Sequence, residues 1–268
     1  MTELPDEHFR ELIRPHTGEV VRVDPPKHGF TTDFAAIIDT EKGPFFVKAM
    51  FNQPGGRKES ILRERAINPY VQPLSPSVLW SVDEDDAGWI ILGFEVIEER
   101  RLDFEPGSPD LPLAVDLLNR AASLPLPDVA RDWPEDRWDA YVSSEDELPL
   151  LRGDALLHTD INPSNLVTGP AGAWLIDWSW PTYGAGFIDP AIFVVQLISA
   201  GHNPESAESW ASGCTAWSNA APAAIDAFAA ADLRMHRVLA EQRPDQAWLK
   251  ALEDAAQAWA DHRGIVGA

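Results

Sequence analysis

The chain has 268 residues, 45% hydrophobic and 24% charged, with 17 Gly and 23 Pro spread along it, which excludes a low-complexity or disordered polypeptide and fits one or two folded domains. Lys and Arg number 21 against 43 Asp and Glu, a formal charge of −22, and this argues against a nucleic-acid partner because phosphate contacts need clustered cations. The single cysteine, Cys214, cannot form an internal disulfide, no run approaches the roughly 18 apolar residues of a membrane span, and the acidic amino terminus lacks a signal's apolar core, so a cytoplasmic protein with no membrane partner is expected.

After an amphipathic start, Val20 to Val23, Phe34 to Asp39 and Phe45 to Phe51 are β-branched or aromatic runs separated by turn residues, and they predict three antiparallel strands. Thr40 to Pro44 is a hairpin-length connection between the second and third. Arg57 to Val71 has Glu59 and Arg63 four apart and Pro69 near its end, as a charged helix does. Two further strands, Val78 to Val82 and Trp89 to Val96, flank the acidic turn Asp83 to Gly88. The first 95 or so residues therefore predict a small sheet with one helix.

Beyond this point the composition changes. A Pro- and Asp-rich stretch from Arg101 precedes a helix over Leu113 to Ala122, and from Ala191 onward Ala, Trp and acidic residues recur at helical intervals. Pro190 to Ala200 predicts a buried helix. Between these, the short apolar runs ending at His158, over Asn165 to Thr168 and over Ala173 to Asp177 are flanked by Gly and Pro. The boundary between the halves is expected near Gly93 to Glu98.

The segment His158-Thr159-Asp160-Ile161-Asn162-Pro163-Ser164-Asn165 follows an apolar run and contains a Pro, so it reads as a loop leaving a strand. If Leu166-Val167 and Trp174-Leu175-Ile176 pair, Asn165 at the start of one strand and Asp177 at the end of the other lie side by side at the open end of a hairpin. Two adjacent oxygen ligands suit Mg²⁺. A third carboxylate held off the metal, Asp160, can accept a proton from a hydroxyl nucleophile, the combination phosphoryl transfer requires.

H-T-D-I-N-P-S-N followed by L-I-D-W resembles the catalytic loop and metal-binding acid of the aminoglycoside phosphotransferase family, relatives of choline kinases and protein kinases. The resemblance implies Asp160 as catalytic base or aligner of the acceptor hydroxyl, and Asn165 and Asp177 as magnesium ligands. Lys48 shares a strand face with Phe46 and Met50 and must reach water or an anion; the resemblance makes it the nucleotide-phosphate lysine, paired to a helix Glu. Glu59 and Glu64 both qualify but point roughly 140° apart on a helix, and the L-R-E-R-A context favours Glu64. Gly29, Phe30, Thr31 and Thr32 would cover the phosphates, and backbone at Phe94 and Val96 would hold the adenine edge. Asp189, in G-F-I-D-P, resembles the family's second acid, capping a helix or bracing the loop, and His158 would orient the loop.

Eleven Trp residues are present, most of them expected in the core. Trp178 would pack where protein kinases carry Phe, and Trp210 and Trp217 could share a helix face. From Leu102 to Asp154 there are thirteen acids and four Arg, an asymmetry that favours a cationic acceptor; Glu145, Asp146 and Glu147 read as solvated loop charges. The expected fold class is α+β, protein-kinase-like and two-lobed, with a nucleotide-binding lobe over residues 1–96 and a mainly helical catalytic and acceptor-binding lobe over 97–268. The implied activity is Mg²⁺-dependent transfer of the γ-phosphoryl group of ATP, with GTP an alternative donor, to a hydroxyl of a small molecule such as an antibiotic. A kinase of a primary metabolite, an amino alcohol or a sugar, and a nucleotide-binding pseudokinase are the alternatives.

Overall fold

The computed structural model describes residues 3–24, 32–85 and 88–265. The chain divides into two compact units, one of residues 1–99 with 176–180 and one of 100–175 with 181–268.

In the first unit, α1 (Glu7–Thr17) is started by Asp6, whose carboxylate accepts the Phe9 N–H at 2.7 Å, and is ended by Gly18 at φ 69°, a left-handed conformation natural to glycine. Phe9, Ile13 and Thr17, four residues apart, form its buried face. Five strands follow, β1 (Val20–Asp24), β2 (Phe34–Thr40), β3 (Gly43–Phe51), β4 (Val78–Asp83) and β5 (Trp89–Phe94), with α2 (Gly56–Ile67) inserted after β3. They form one antiparallel sheet in the order β1-β2-β3-β5-β4.

Strand alternation divides the unit's core. Phe34, Ala36 and Ile38 of β2, Phe45, Val47 and Ala49 of β3, and Trp89 and Ile91 of β5 pack with Phe9 and Ile13 of α1. On the opposite face Met50, Ile90, Leu92 and Phe94 cluster with Ile61 of α2. The amphipathic start is thus also a helix, and the sheet carries one helix on each face. Burying each Ile, Leu or Phe contributes about 1.5–3 kcal/mol, so the two apolar layers fix which face each β3 residue takes. Lys48 lies on the α2 face, opposite Leu92 and Ala35 in the neighbouring strands.

In the second unit, β6 (Arg100–Arg101) precedes α3 (Leu111–Ala122), which begins two residues earlier than the sequence predicts because Pro112 fits a helix's first turn. Then come β7 (Ala155–Leu157), β8 (Leu166–Gly169), β9 (Gly172–Leu175) and β10 (Thr182–Gly184), followed by helices α4 (Ile188–Ser199), α5 (Pro204–Ala211), α6 (Thr215–Ser218), α7 (Pro222–Gln242) and α8 (Ala247–His262). β8 and β9 form the expected hairpin with β6 alongside, and β7 pairs with β10.

Trp210 and Trp217 do not share a helix face: Ser212-Gly213-Cys214 breaks the helix, leaving Trp210 on α5 and Trp217 on α6, stacked on Trp259 with centroids 6.2 Å apart. Burial pushes the Cys214 thiol up to about 12, so this cysteine packs and does not react. Among the described residues no helix is long and apolar enough to cross a membrane.

Candidate active site

One polar cluster lies within the first unit. Lys48 and Glu64 are both buried, and the Lys48 ammonium donates to Glu64 Oε2 at 2.7 Å, Asp177 Oδ1 at 2.6 Å and Ser179 Oγ at 2.9 Å. Glu64 is the partner because α2 turns Ser60, Ile61, Glu64 and Ile67 inward, whereas Glu59 in its first turn is exposed. Burial lowers the Lys48 pKa, but the Glu64 and Asp177 carboxylates outweigh it and leave the group above its ordinary value. Burial pushes the Glu64 carboxyl up and the ammonium pulls it down. All three ammonium protons are engaged. Ser179 also donates to Asp177 Oδ1 and lies 3.4 Å from Glu64; sequence reading missed it, because Asp177 takes φ 62°, off the extended path along which a two-residue spacing would put both side chains on one side.

Asp177 adopts φ 62° and Thr159 φ 63°, left-handed conformations uncommon outside glycine. Asp tolerates this region; Thr is β-branched, so its conformation costs on the order of 1–3 kcal/mol and must be imposed by its surroundings.

The loop of the second unit shows how. Buried Asp189, in the first turn of α4, accepts the backbone N–H groups of His158 at 2.9 Å and Thr159 at 2.8 Å. Burial pushes its carboxyl up. Its role is therefore to brace the loop, one of the two expected alternatives. His158 is 1% exposed and its Nδ1 accepts the Asp160 N–H at 3.2 Å, so it orients the loop as expected. The exposed Asp160 carboxylate is fixed by two amides: Asn162 Nδ2 donates to Oδ1 at 2.9 Å and Asn165 Nδ2 to Oδ2 at 2.9 Å. Asn162 was not singled out, although D-I-N-P-S is a turn signature; its Oδ1 accepts the Ser164 N–H at 2.8 Å.

The hairpin register pairs Leu166 with Leu175, so Asn165 immediately precedes one partner and Asp177 follows the other by two residues. Asn165 directs its Nδ2 at Asp160, which leaves its carbonyl Oδ1 as a hard oxygen donor. Among the described residues no three His, Cys, Asp or Glu side chains form a metal cage.

Gly29, Phe30 and Thr31 lie outside the described residues. Thr32 forms a bend before β2, and its buried hydroxyl has no hydrogen-bond partner among the described residues. Phe94 ends β5 and Val96 follows it, so the strand stops two residues short of the predicted end; Glu95 donates its N–H to Ser77 O at 3.0 Å. Trp178 is 1% exposed and packs as expected. Glu145, Asp146 and Glu147 open a 3₁₀ segment that ends on buried Leu151; Glu145 and Asp146 are exposed, whereas Glu147 is half-buried.

No protein-family model and no curated protein matches the chain. Solved structures do. Choline kinase LicA from Streptococcus pneumoniae superposes with a TM-score of 0.64 at 13% identity, covering 95% of this chain and 98% of that one. A thermostable mutant of aminoglycoside phosphotransferase APH(4)-Ia, in ternary complex with AMP-PNP and hygromycin B, gives 0.58 at 13% identity over 94% and 98%. The GDP and kanamycin complex of APH(2")-IIia gives 0.58 at 13% identity over 96% and 99%. The chain therefore has the two-lobed fold of choline kinase and the aminoglycoside phosphotransferases.

Proposed function

We propose that the chain is a small-molecule kinase that transfers the γ-phosphoryl group of ATP to a hydroxyl. The observation that carries this reading is the buried Lys48 ammonium between Glu64 and Asp177, charges whose desolvation a merely structural sheet has no reason to bear. The braced Asp160 loop and the nucleotide-bound relatives support it; the guanine nucleotide in one of them keeps GTP as an alternative donor.

In this reading residues 1–96 bind nucleotide and 97–268 supply the loop and the acceptor pocket. Lys48 neutralises nucleotide phosphates, with Glu64 fixing its direction. Thr32, whose hydroxyl has no hydrogen-bond partner among the described residues, would serve the phosphate side together with Gly29, Phe30 and Thr31, and backbone at Phe94 and Val96 would receive the base. The donor set of Asn165 and Asp177 suits Mg²⁺, which when bound would neutralise phosphate charge. Asp160 aligns the acceptor hydroxyl: the oxygen bonds to the γ-phosphorus, the bond to the β–γ bridging oxygen breaks, the proton passes to the Asp160 carboxylate, and ADP leaves.

The acceptor is a small alcohol, and the acid-rich stretch from Leu102 to Asp154 favours a cationic one, as the aminoglycosides bound by the relatives are. An antibiotic acceptor would make the protein a resistance or self-protection enzyme of the cytoplasm. The likeness to a choline kinase supports a second reading, an amino-alcohol metabolite.

Two measurements test the proposal. Calorimetry should detect ATP binding that requires Mg²⁺ and is lost in Asp177→Ala. Acceptor-dependent ADP release over a panel of amino alcohols, sugars, aminoglycosides and nucleoside and peptide antibiotics should identify the acceptor, and Asp160→Ala should lower that rate about 10²- to 10⁴-fold with ATP affinity retained. Failure of the wild-type chain to bind ATP with Mg²⁺ would overturn the assignment, and binding without any transfer would leave the pseudokinase reading in its place.

A further inference from the structure

Thr159, the residue before Asp160, is held at three atoms. Its N–H goes to Asp189 at 2.8 Å, while its carbonyl oxygen accepts from Arg137 Nη1 at 3.0 Å and its Oγ1 from Arg137 Nη2 at 2.9 Å. One guanidinium thus grips both the main chain and the side chain of the residue with the least favourable backbone in the loop. The guanidinium is itself fixed. It lies 5.1 Å from the ring centroid of Trp138 and 3.8 Å from Glu135 Oε2, and the Trp138 indole donates to Asp232 Oδ1 on α7 at 3.0 Å. Its side chain is 39% exposed, so this fork is not placed by core packing.

We propose that Arg137 is a positioning residue for Asp160, acting by holding Thr159 in the left-handed conformation from which the chain delivers the Asp160 carboxylate to its two amides. A Thr released at its carbonyl and hydroxyl returns to negative φ, and the rotation carries Asp160 out of line. The inference rests on the kinase reading and adds to it a residue 22 positions upstream that no local motif marks.

The test uses Arg137→Met, which keeps an apolar stem over Trp138 and removes both donors, alone and combined with Thr159→Gly, since glycine adopts positive φ without steric cost. In the wild-type background Arg137→Met should lower the transfer rate at saturating ATP and acceptor about 10- to 100-fold, with the KM for ATP unchanged within about twofold. In the Thr159→Gly background the same substitution should cost less than about threefold. Arg137→Lys, which can satisfy one of the two acceptors, should recover part of the rate. Equal losses in both backgrounds, or no loss in the first, would overturn the proposal.

Urea midpoints of the wild type, Arg137→Met, Thr159→Gly and the double variant separate this failure from that of the kinase reading. The drop caused by Arg137→Met should shrink when Thr159 is replaced by Gly, and additive drops would overturn the clamp whatever the activity. A wild-type chain that transfers phosphate to no acceptor, yet shows this coupling, would remove the catalytic role and the kinase reading together.

Discussion

A lysine in the interior of a sheet face is tolerated only while its partners remain. Lys48 keeps a raised pKa, so its stabilising contribution is complete below the unfolded value near 10.4 and is lost only as pH rises through the still higher folded value; between pH 5 and 8 it is constant. Lys48→Met changes the sign of the problem. It leaves the buried Glu64 carboxyl with burial and the neighbouring Asp177 carboxylate, both of which raise its folded pKa, against only the Ser179 hydroxyl; stability is then greatest where the group is protonated and falls as pH rises from about 4 upward. We expect the substitution to cost about 3–5 kcal/mol at pH 8 and clearly less at pH 5, with Lys48→Met/Glu64→Gln recovering much of the difference. Urea unfolding of the three proteins at both pH values checks this, and an equal loss at both would refute the role given to burial. A second test concerns Asp189: Asp189→Ala orphans the buried N–H groups of His158 and Thr159, so a loss of about 2–5 kcal/mol is expected from two unmade bonds. Thermal unfolding would detect it, and a drop below about 1 kcal/mol would mean that other acceptors replace the carboxylate.

At the scale of elements, β5 runs so close to the Trp80 ring of β4 that a Cβ on Gly93 would lie 2.0 Å from Trp80 Cε2. The ring is hemmed in by His16 stacked at 5.1 Å and by Phe45 edge-on at 5.7 Å, so it has no ready retreat. Gly93→Ala should therefore overpack this layer by about 1–3 kcal/mol, and Gly93→Ala/Trp80→Leu should regain most of it; denaturation midpoints decide, and an unchanged midpoint for the single variant would show that the ring moves freely. This close approach was invisible in the sequence, where Gly93 read as the start of the boundary between the halves. What was legible followed from period and chemistry: alternation put Lys48 on the face of Phe46 and Met50, and the Gly- and Pro-flanked apolar runs Leu166-Val167 and Trp174-Leu175-Ile176 forecast the β8–β9 hairpin. What was not legible came from partners far along the chain. Thr159 has no local preference for its conformation, which Arg137 and Asp189 impose from 22 and 30 residues away. Trp210 and Trp217 had the spacing of one helix face, but the Ser212-Gly213-Cys214 break separates them.

Across the whole molecule, 43 acids face 21 Lys and Arg, so negative charge exceeds positive by 22 at pH 7 with His neutral. Salt acts on this balance in two directions. It weakens exposed pairs such as Arg14 with Glu19 at 2.6 Å and Arg131 with Asp128 at 2.9 Å, but such pairs are worth at most about 1 kcal/mol each. It also screens the mutual repulsion of the excess carboxylates, whose reach shortens from about 10 Å at 0.1 M ionic strength to about 3 Å at 1 M. Repulsion involves more charges and longer distances, so it should dominate: raising NaCl from about 0.05 to 0.5 M is expected to raise the Tm by a few degrees, each 1 kcal/mol being worth about 2–4 °C in domains of about 150–250 residues. The proposed kinase adds an opposite trend. A polycationic acceptor is drawn in by the same field, so its kcat/KM should fall over the salt range in which the Tm climbs, whereas a neutral acceptor should show only the change in stability. Calorimetric melting and initial rates in one salt series separate the two effects. A Tm that falls with added NaCl would mean that the specific ion pairs outweigh the excess negative charge.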